Sequence, residues 1–176
     1  MAKIQVIVGS ARKQRLGEEV SDFVLKQAKQ KLEHECELVD VKEWLLPYVT
    51  GDMPSATSDN YQTDGANEWA SKIGEADGYI FVTPEYNASI PAPLKNNIDA
   101  IYDEWLEKSS LVITYSPSKG GAASAGNHLH DILERLKMTV VADDVNFPSW
   151  GTDYADLDDY KQKLTAGLEE LAKLLS

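Results

Sequence analysis

The stretch Lys3-Ile-Gln-Val-Ile-Val-Gly9, close to the amino terminus, decides the predicted fold. Its nearly continuous apolar run is typical of a strand buried on both faces of a parallel sheet, and it ends at a glycine that permits a sharp turn. Three similar runs follow, at 78–83, 111–115 and 138–142. The segment 36–41 alternates more strongly between apolar and polar residues, which indicates a fifth strand near the edge of the sheet.

Apolar residues recur at helical spacing between these strands. The helical stripes cover 20–32, 94–105, 129–136 and 157–175, and a shorter helix is predicted at 67–74. Strands and helices therefore alternate along the chain, which predicts an α/β fold with a parallel sheet covered by helices on both faces. A length of 176 residues suits a single domain spanning 1–176.

The charge balance excludes some classes of partner. Against 29 Asp and Glu stand 17 Lys and Arg, a net charge of -12. This balance argues against nucleic acid and against an anionic membrane surface, since both need clustered cations, but it leaves room for a small anionic ligand. The single cysteine, Cys36, cannot form an intramolecular disulfide, and we find neither a signal peptide nor a spanning segment. We therefore expect a soluble cytoplasmic protein.

The loops that follow the strands are the places to look for a ligand, because parallel α/β sheets bind ligands at the carboxyl ends of their strands. The first loop, Gly-Ser-Ala-Arg-Lys-Gln-Arg-Leu-Gly at 9–17, offers Ser10, Arg12 and Arg15 as donors ahead of a helix amino terminus. This combination favours a phosphate site, and a solvated basic loop is the alternative. Neither a Walker motif nor a Gly-x-Gly-x-x-Gly fingerprint is present.

Two further loops carry polar residues at strand ends. Thr-Pro-Glu-Tyr-Asn-Ala-Ser-Ile-Pro begins at Thr83 and places Tyr86 and Asn87 at a strand tip, where they face a ligand or simply form a turn and helix cap. The segment 115–121 contains Gly120 and Gly121, which allow the backbone to approach a ligand or make the turn flexible.

Taken together, these motifs resemble the NADPH-dependent FMN reductase family of flavodoxin-like proteins. The resemblance rests on Gly-Ser-x-Arg-x-x-Arg-x-Gly at 9–17, Pro-Glu-Tyr-Asn-x-Ser-x-Pro-x-x-Leu-Lys-Asn-x-Ile-Asp at 84–99, and Gly-Gly at 120–121. It covers nearly the whole chain. It implies a flavodoxin-like three-layer sandwich whose five-stranded parallel sheet has the order 2-1-3-4-5.

The resemblance also implies a cofactor site. It assigns the FMN phosphate to Ser10, Arg12, Arg15, Leu16 and Gly17, the flavin ring to Pro84, Glu85, Tyr86 and Asn87, and the opposite side to Ser116 and Gly120. NADPH or NADH would pass hydride to the flavin, and a quinone, free flavin, azo dye or metal ion would then accept the electrons. This chemistry requires no catalytic side chain. An FMN-binding electron carrier or sensor without substantial turnover is the alternative.

The resemblance leaves assembly and acceptor open. Members of the family are usually dimers or tetramers, so Tyr102 and Trp105, on the helix that begins near Pro91, belong either to a subunit interface or to the core. Many members have a small hydroxyl residue where Arg15 stands here. The irregular segment 45–64 is either a functional lid or binding loop, or a simple connection.

Two other kinds of site fit the sequence poorly. Ser124, within Ala-Ala-Ser-Ala-Gly at 122–126, resembles a degenerate hydrolase nucleophile elbow but falls inside a predicted helix start rather than at a strand tip. His128 and His130 are two residues apart on a helix and face different directions, so we predict no metal site.

Overall fold

The computed structural model describes residues 1–57 and 61–176, which form a parallel sheet covered by helices. The strands are β1 (Lys3–Val8), β2 (Glu35–Asp40), β3 (Gly78–Pro84), β4 (Ser109–Tyr115), β5 (Thr139–Val140) and β6 (Val145–Phe147). The helices are α1 (Gly17–Lys31), α2 (Ala66–Gly74), α3 (Ala92–Asp99), α4 (Ala123–Arg135) and α5 (Leu157–Leu174). The strand order β2-β1-β3-β4-β5 confirms the flavodoxin-like sheet implied by the resemblance, with β2 at an edge.

The sheet separates two apolar cores. Successive residues of β1 point to opposite faces, so Val6 packs in one core and Ile7 in the other. Helices α1 and α5 cover the Val6 side, whereas α2, α3 and α4 cover the Ile7 side. Complete burial of an aliphatic side chain contributes about 1.5–3 kcal/mol, which explains why the central strands read as continuous apolar runs. Within the described part of the chain, no helix is both long and apolar enough to cross a bilayer.

The last strand differs from the prediction. The predicted strand 138–142 is reduced to the two residues of β5, and a second short strand, β6, continues the pairing with β4 beyond an interruption at 141–144. The interruption contains Asp143 and Asp144, and aspartate is disfavoured in strands. The Asp144 carboxylate instead lies 2.6 Å from His130 Nε2.

Helix α3 is shorter than the predicted stripe of 94–105. Two buried indoles take up carbonyl groups of its last turn: Trp69 Nε1 donates to the carbonyl of Asn97 at 2.9 Å and Trp105 Nε1 to that of Ile98 at 3.2 Å. Beyond the helix, the Tyr61 hydroxyl accepts hydrogen bonds from the backbone N–H of Tyr102. Trp105 is fully buried within the chain itself, so it belongs to the core rather than to an interface.

The irregular segment 45–64 is attached to α3 along its first part. The Asn97 amide donates to the carbonyl of Trp44 at 2.7 Å, and the Asn96 amide donates to that of Pro47 at 3.0 Å. The Ser55 hydroxyl donates to the carbonyl of Asp99 at 2.7 Å. Residues 58–60 of the segment lie outside the described residues. The contacts that are described make its first part a strap along α3.

Candidate functional site

A cavity of about 580 Å³ opens at the carboxyl ends of β1, β3 and β4. The three loops singled out by the sequence meet there. Its lining residues are Ser10, Arg12, Gln14, Arg15, Leu16, Pro84, Glu85, Tyr86, Asn87, Tyr115, Ser116 and Pro117. All the predicted site residues except Gly17 and Gly120 belong to this lining.

The loop after β1 forms one end of the cavity. Ser10 is buried, and its hydroxyl lies 2.8 Å from the Tyr86 hydroxyl. Helix α1 begins directly behind this loop, and its cap residue Leu16 supplies no side-chain hydrogen bond. The first N–H groups of a helix need an outside acceptor, and they also carry the positive end of the helix dipole. This end of the cavity is therefore suited to an anion.

Gly17 contributes through its lack of a side chain. A Cβ at this position would lie 2.6 Å from the Tyr115 hydroxyl, which is too close for any side chain. The glycine thus lets the phenol of Tyr115 approach the start of α1.

Tyr86 connects the loops that follow β1 and β3. Besides the contact with Ser10, its ring lies beneath the Arg12 guanidinium, whose central carbon is 4.3 Å from the ring centroid. A cation over an aromatic face is attracted by the ring quadrupole. Arg12 is exposed, and this contact orients its charge toward the cavity end formed by the first loop.

The turn that follows Tyr86 has an uncommon backbone. Tyr86 and Ser89 exchange hydrogen bonds of 2.8 and 3.2 Å, and the two residues between them, Asn87 and Ala88, have φ values of 52° and 64°. Two left-handed residues in a row are the signature of a type I′ turn. Asparagine tolerates this conformation and alanine is strained in it, so backbone strain is concentrated beside the cavity.

Helix α4 supports this turn from behind. The Glu85 carboxylate accepts a hydrogen bond of 3.3 Å from the backbone N–H of Ala125 in the first turn of α4, where the helix dipole favours a negative charge. Ser89 Oγ lies 2.7 Å from His128 Nδ1. The hydroxyl that His128 contacts is thus that of Ser89, while Ser124 occupies the first turn of α4.

The loop after β4 closes the opposite side of the cavity. The Ser116 hydroxyl accepts a 3.0 Å hydrogen bond from the N–H of Ser118, and the backbone of Ser116 pairs with Phe147 and Trp150. A Cβ at Gly120 would meet open space, whereas one at Gly121, where φ is 67°, would lie 2.2 Å from Asn146 Nδ2. Of the two glycines, Gly121 is therefore the one that a side chain could not replace.

Sequence reasoning missed Gln14, Tyr115 and Pro117 as lining residues. Tyr115 is nearly fully buried, and burial raises the pKa of its phenol above the ordinary value of 10.0. Its position as the last residue of β4 was the available signal, because strand ends point toward the ligand edge of the sheet.

Arg15 lines the cavity but is engaged by carboxylates. Its side chain is 2% exposed and pairs with Asp40, the last residue of β2, and with Glu18 on α1. Burial alone would lower the pKa of Arg15, but hydrogen bonds to Asp40 and Glu18 outweigh burial and raise it.

Other surface features are less suited to binding a polar, anionic ligand. A groove of about 650 Å³ lies between the interrupted strand edge and α5, and its lining is mostly apolar. None of the predicted site residues belongs to its lining. Among the described residues, no three metal-binding side chains come together.

A parallel sheet of this order, with an anion-suited loop after β1 and a polar turn after β3, defines a flavodoxin-like nucleotide-binding protein. Comparison with known proteins agrees with this class. Residues 2–152 match the family model described as NADPH-dependent FMN reductase, so the chain belongs to that family.

Individual relatives have similar names. The chain is 37% identical over 139 residues to the NAD(P)H-dependent FMN reductase C4B3.06c of Schizosaccharomyces pombe, covering 78% of this chain and 68% of the relative. It is 38% identical over 104 residues to a quinone reductase of Escherichia coli, covering 54% of this chain and 55% of the relative. Among solved structures, the flavoenzyme NAD(P)H:(acceptor) oxidoreductase FerB of Paracoccus denitrificans shares the fold, with a TM-score of 0.78, 24% identity and coverage of 99% and 97%.

Proposed function

We propose that this protein is an NAD(P)H-dependent oxidoreductase that binds FMN at the carboxyl ends of β1, β3 and β4. The observation that carries the proposal is that one cavity brings together an anion-suited loop and a strained polar turn. Ser10, Arg12 and the uncapped start of α1 supply the first part, Glu85 and Asn87 supply the second, and Tyr86 contacts Ser10 between them. FMN combines a phosphate with a planar polar ring, so the chemistry of both parts fits it.

The predicted site residues have distinct roles in this proposal. Ser10, Arg12, Leu16 and Gly17 would hold the phosphate, and the phenol of Tyr115, which lines the same cavity, would donate a further hydrogen bond. Pro84, Glu85, Tyr86 and Asn87 line the ring, where the backbone of the turn offers fixed donors. Ser116 and Gly120 bound the remaining side. When bound, FMN would supply the redox chemistry between NAD(P)H and an acceptor such as a quinone.

The chain's own contribution is binding and orientation. Arg12 brings positive charge to an otherwise acidic protein, and charge-assisted hydrogen bonds to phosphate are about twice as strong as neutral ones. The hydrogen bonds from α4 to Glu85 and Ser89 hold the turn at Tyr86–Ser89 in one conformation. We assign no catalytic side chain.

The decisive experiment combines titration and turnover. Purified protein is titrated with FMN while flavin fluorescence is followed, and NADH and NADPH oxidation are then measured with a quinone, free flavin, an azo dye or ferric iron as acceptor. We expect saturable FMN binding and acceptor-dependent oxidation above that of free FMN. Binding without oxidation would instead indicate an electron carrier or sensor, and absence of binding would refute the FMN site.

The exposed apolar residues of the α3 strap support a homodimer or homotetramer. Leu45, Tyr48 and Met53 are exposed by 58%, 79% and 50% within one short segment beside α3, and large apolar side chains exposed so near each other in the chain favour a protein–protein contact. Light scattering during size exclusion tests this assembly, and a monomeric mass at all concentrations would contradict it. NAD(P)H-dependent chemistry fits a cytoplasmic location, which we propose on that ground alone.

A further inference from the structure

The Arg15 guanidinium has no hydrogen left to offer a ligand. Arginine carries five N–H donors. Nε donates to Glu18 at 3.2 Å, Nη1 donates to Asp40 at 3.0 Å and to the Ser10 carbonyl, and Nη2 donates to Glu18 at 3.0 Å and to the second carboxylate oxygen of Asp40. These five contacts use all five donors.

The charge of Arg15 is also compensated. Its side chain is 2% exposed and that of Asp40 15% exposed, so this pair is well shielded from water. Glu18, at 56% exposure, adds a second negative charge. The group of three has a net charge of -1, and Lys42, whose Nζ lies 3.8 Å from Glu18, brings the cluster to zero, so the cluster gives an incoming phosphate no net electrostatic attraction.

The same contacts connect three separate elements. Asp40 ends β2, Arg15 lies just before α1, and the carbonyl that Arg15 holds belongs to Ser10, whose hydroxyl reaches the cavity. Asp40 is itself fixed, because its Oδ1 also accepts a 2.9 Å hydrogen bond from the backbone N–H of Lys42. The shape of the loop at 10–16 thus depends on a carboxylate that comes from another strand.

We infer that Arg15 and Asp40 are positioning residues that fix the loop for the FMN phosphate, and that Asp40, although an anion, strengthens binding of FMN relative to riboflavin. The inference rests on the proposed function and refines the role of Arg15 within it. Electrostatics alone makes the opposite prediction, because removing an anion near a phosphate site should tighten the binding of a dianion.

The test compares Asp40→Asn and Arg15→Lys with wild type in titrations with FMN and with riboflavin, which lacks the phosphate. Asp40→Asn removes the charge that organises the guanidinium, and Arg15→Lys keeps the positive charge but loses the planar fork. We expect each variant to bind FMN about tenfold more weakly, the loss of roughly one charge-assisted hydrogen bond, while the riboflavin affinity changes less than about twofold. The double variant should be no worse than either single variant, because both break the same unit.

Glu19→Gln is the matched control. It removes an equal charge from an exposed position in the first turn of α1, and its FMN affinity should stay equal or rise slightly. Unchanged or tighter FMN binding by Asp40→Asn would overturn the inference. An equal loss of riboflavin affinity would also overturn it, because it would indicate a purely structural role. If Asp40→Asn does not fold, Asp40→Glu, which keeps the charge but displaces the carboxylate, decides by the same comparison. Failure of the wild type to bind FMN would instead refute the proposed function.

Discussion

Arg12 is the residue on which the anion site depends most directly. Its guanidinium is exposed and lies over the Tyr86 ring, so its donors stay available to a phosphate, unlike those of Arg15. We predict that Arg12→Ala weakens FMN binding about tenfold or more, since a charge-assisted hydrogen bond contributes about 1.5–3 kcal/mol. Fluorescence titration measures the change. Lys13→Ala is the control, because it removes the same charge from the next position, which is also exposed. Similar losses in both variants would show that only net charge matters.

For single residues, the sequence predicts which side chains lie near each other better than it predicts which of them form hydrogen bonds. Ser10 and Tyr86 come together because parallel strands bring their carboxyl ends to one edge, which residue patterns already indicate. The hydrogen-bond donors of Arg15 are all occupied only because Asp40, 25 positions along the chain, accepts two of them. Asp40 reaches it through the register that pairs Val8 with Asp40, and a single sequence does not define register or rotamer.

The turn at Tyr86–Ser89 and the start of α4 support each other. This helix has no side-chain cap from its own cap residue Ala122, and the Glu85 carboxylate fills that role from the β3 loop. We predict that Glu85→Gln lowers the melting temperature of the ligand-free protein by about 1–4 °C, because a charge at a helix amino terminus contributes about 0.3–1 kcal/mol. Thermal unfolding followed by circular dichroism measures it.

The control for that prediction lies on the same helix. Glu134→Gln removes an exposed negative charge near the carboxyl end of α4, where the dipole disfavours anions, so its melting temperature should be equal or higher. An equal decrease in both variants would mean that the Glu85 contact does not stabilise α4.

Elements were predictable where one local signal dominated. The central strands β1, β3 and β4 follow their apolar runs, because burial on both faces leaves no competing pattern. Helix α3 ends early because Trp69 and Trp105 take its last carbonyls, and these contacts come from other elements. Most of the apolar residues of the stripe 94–105 are buried as predicted, but they do not belong to one continuous helix.

For the whole molecule, the net charge of -12 and the anionic ligands act against each other. At long range the acidic surface repels FMN, whereas attraction arises only within the cavity, where Arg12 and the start of α1 act at short distance. Salt screens exposed charges beyond about 10 Å at 0.1 M ionic strength, so it removes the long-range repulsion more fully than it weakens the short-range contacts in the cavity.

We therefore predict that raising the salt concentration from about 50 to about 500 mM weakens FMN binding less than about threefold and leaves the association rate constant unchanged or higher. Stopped-flow fluorescence separates the association and dissociation rates. Riboflavin, which lacks the phosphate, serves as the uncharged control, and its association should not respond to salt. A steep fall in the FMN association rate would contradict a local positive site on an acidic protein, because only long-range attraction is lost in that way.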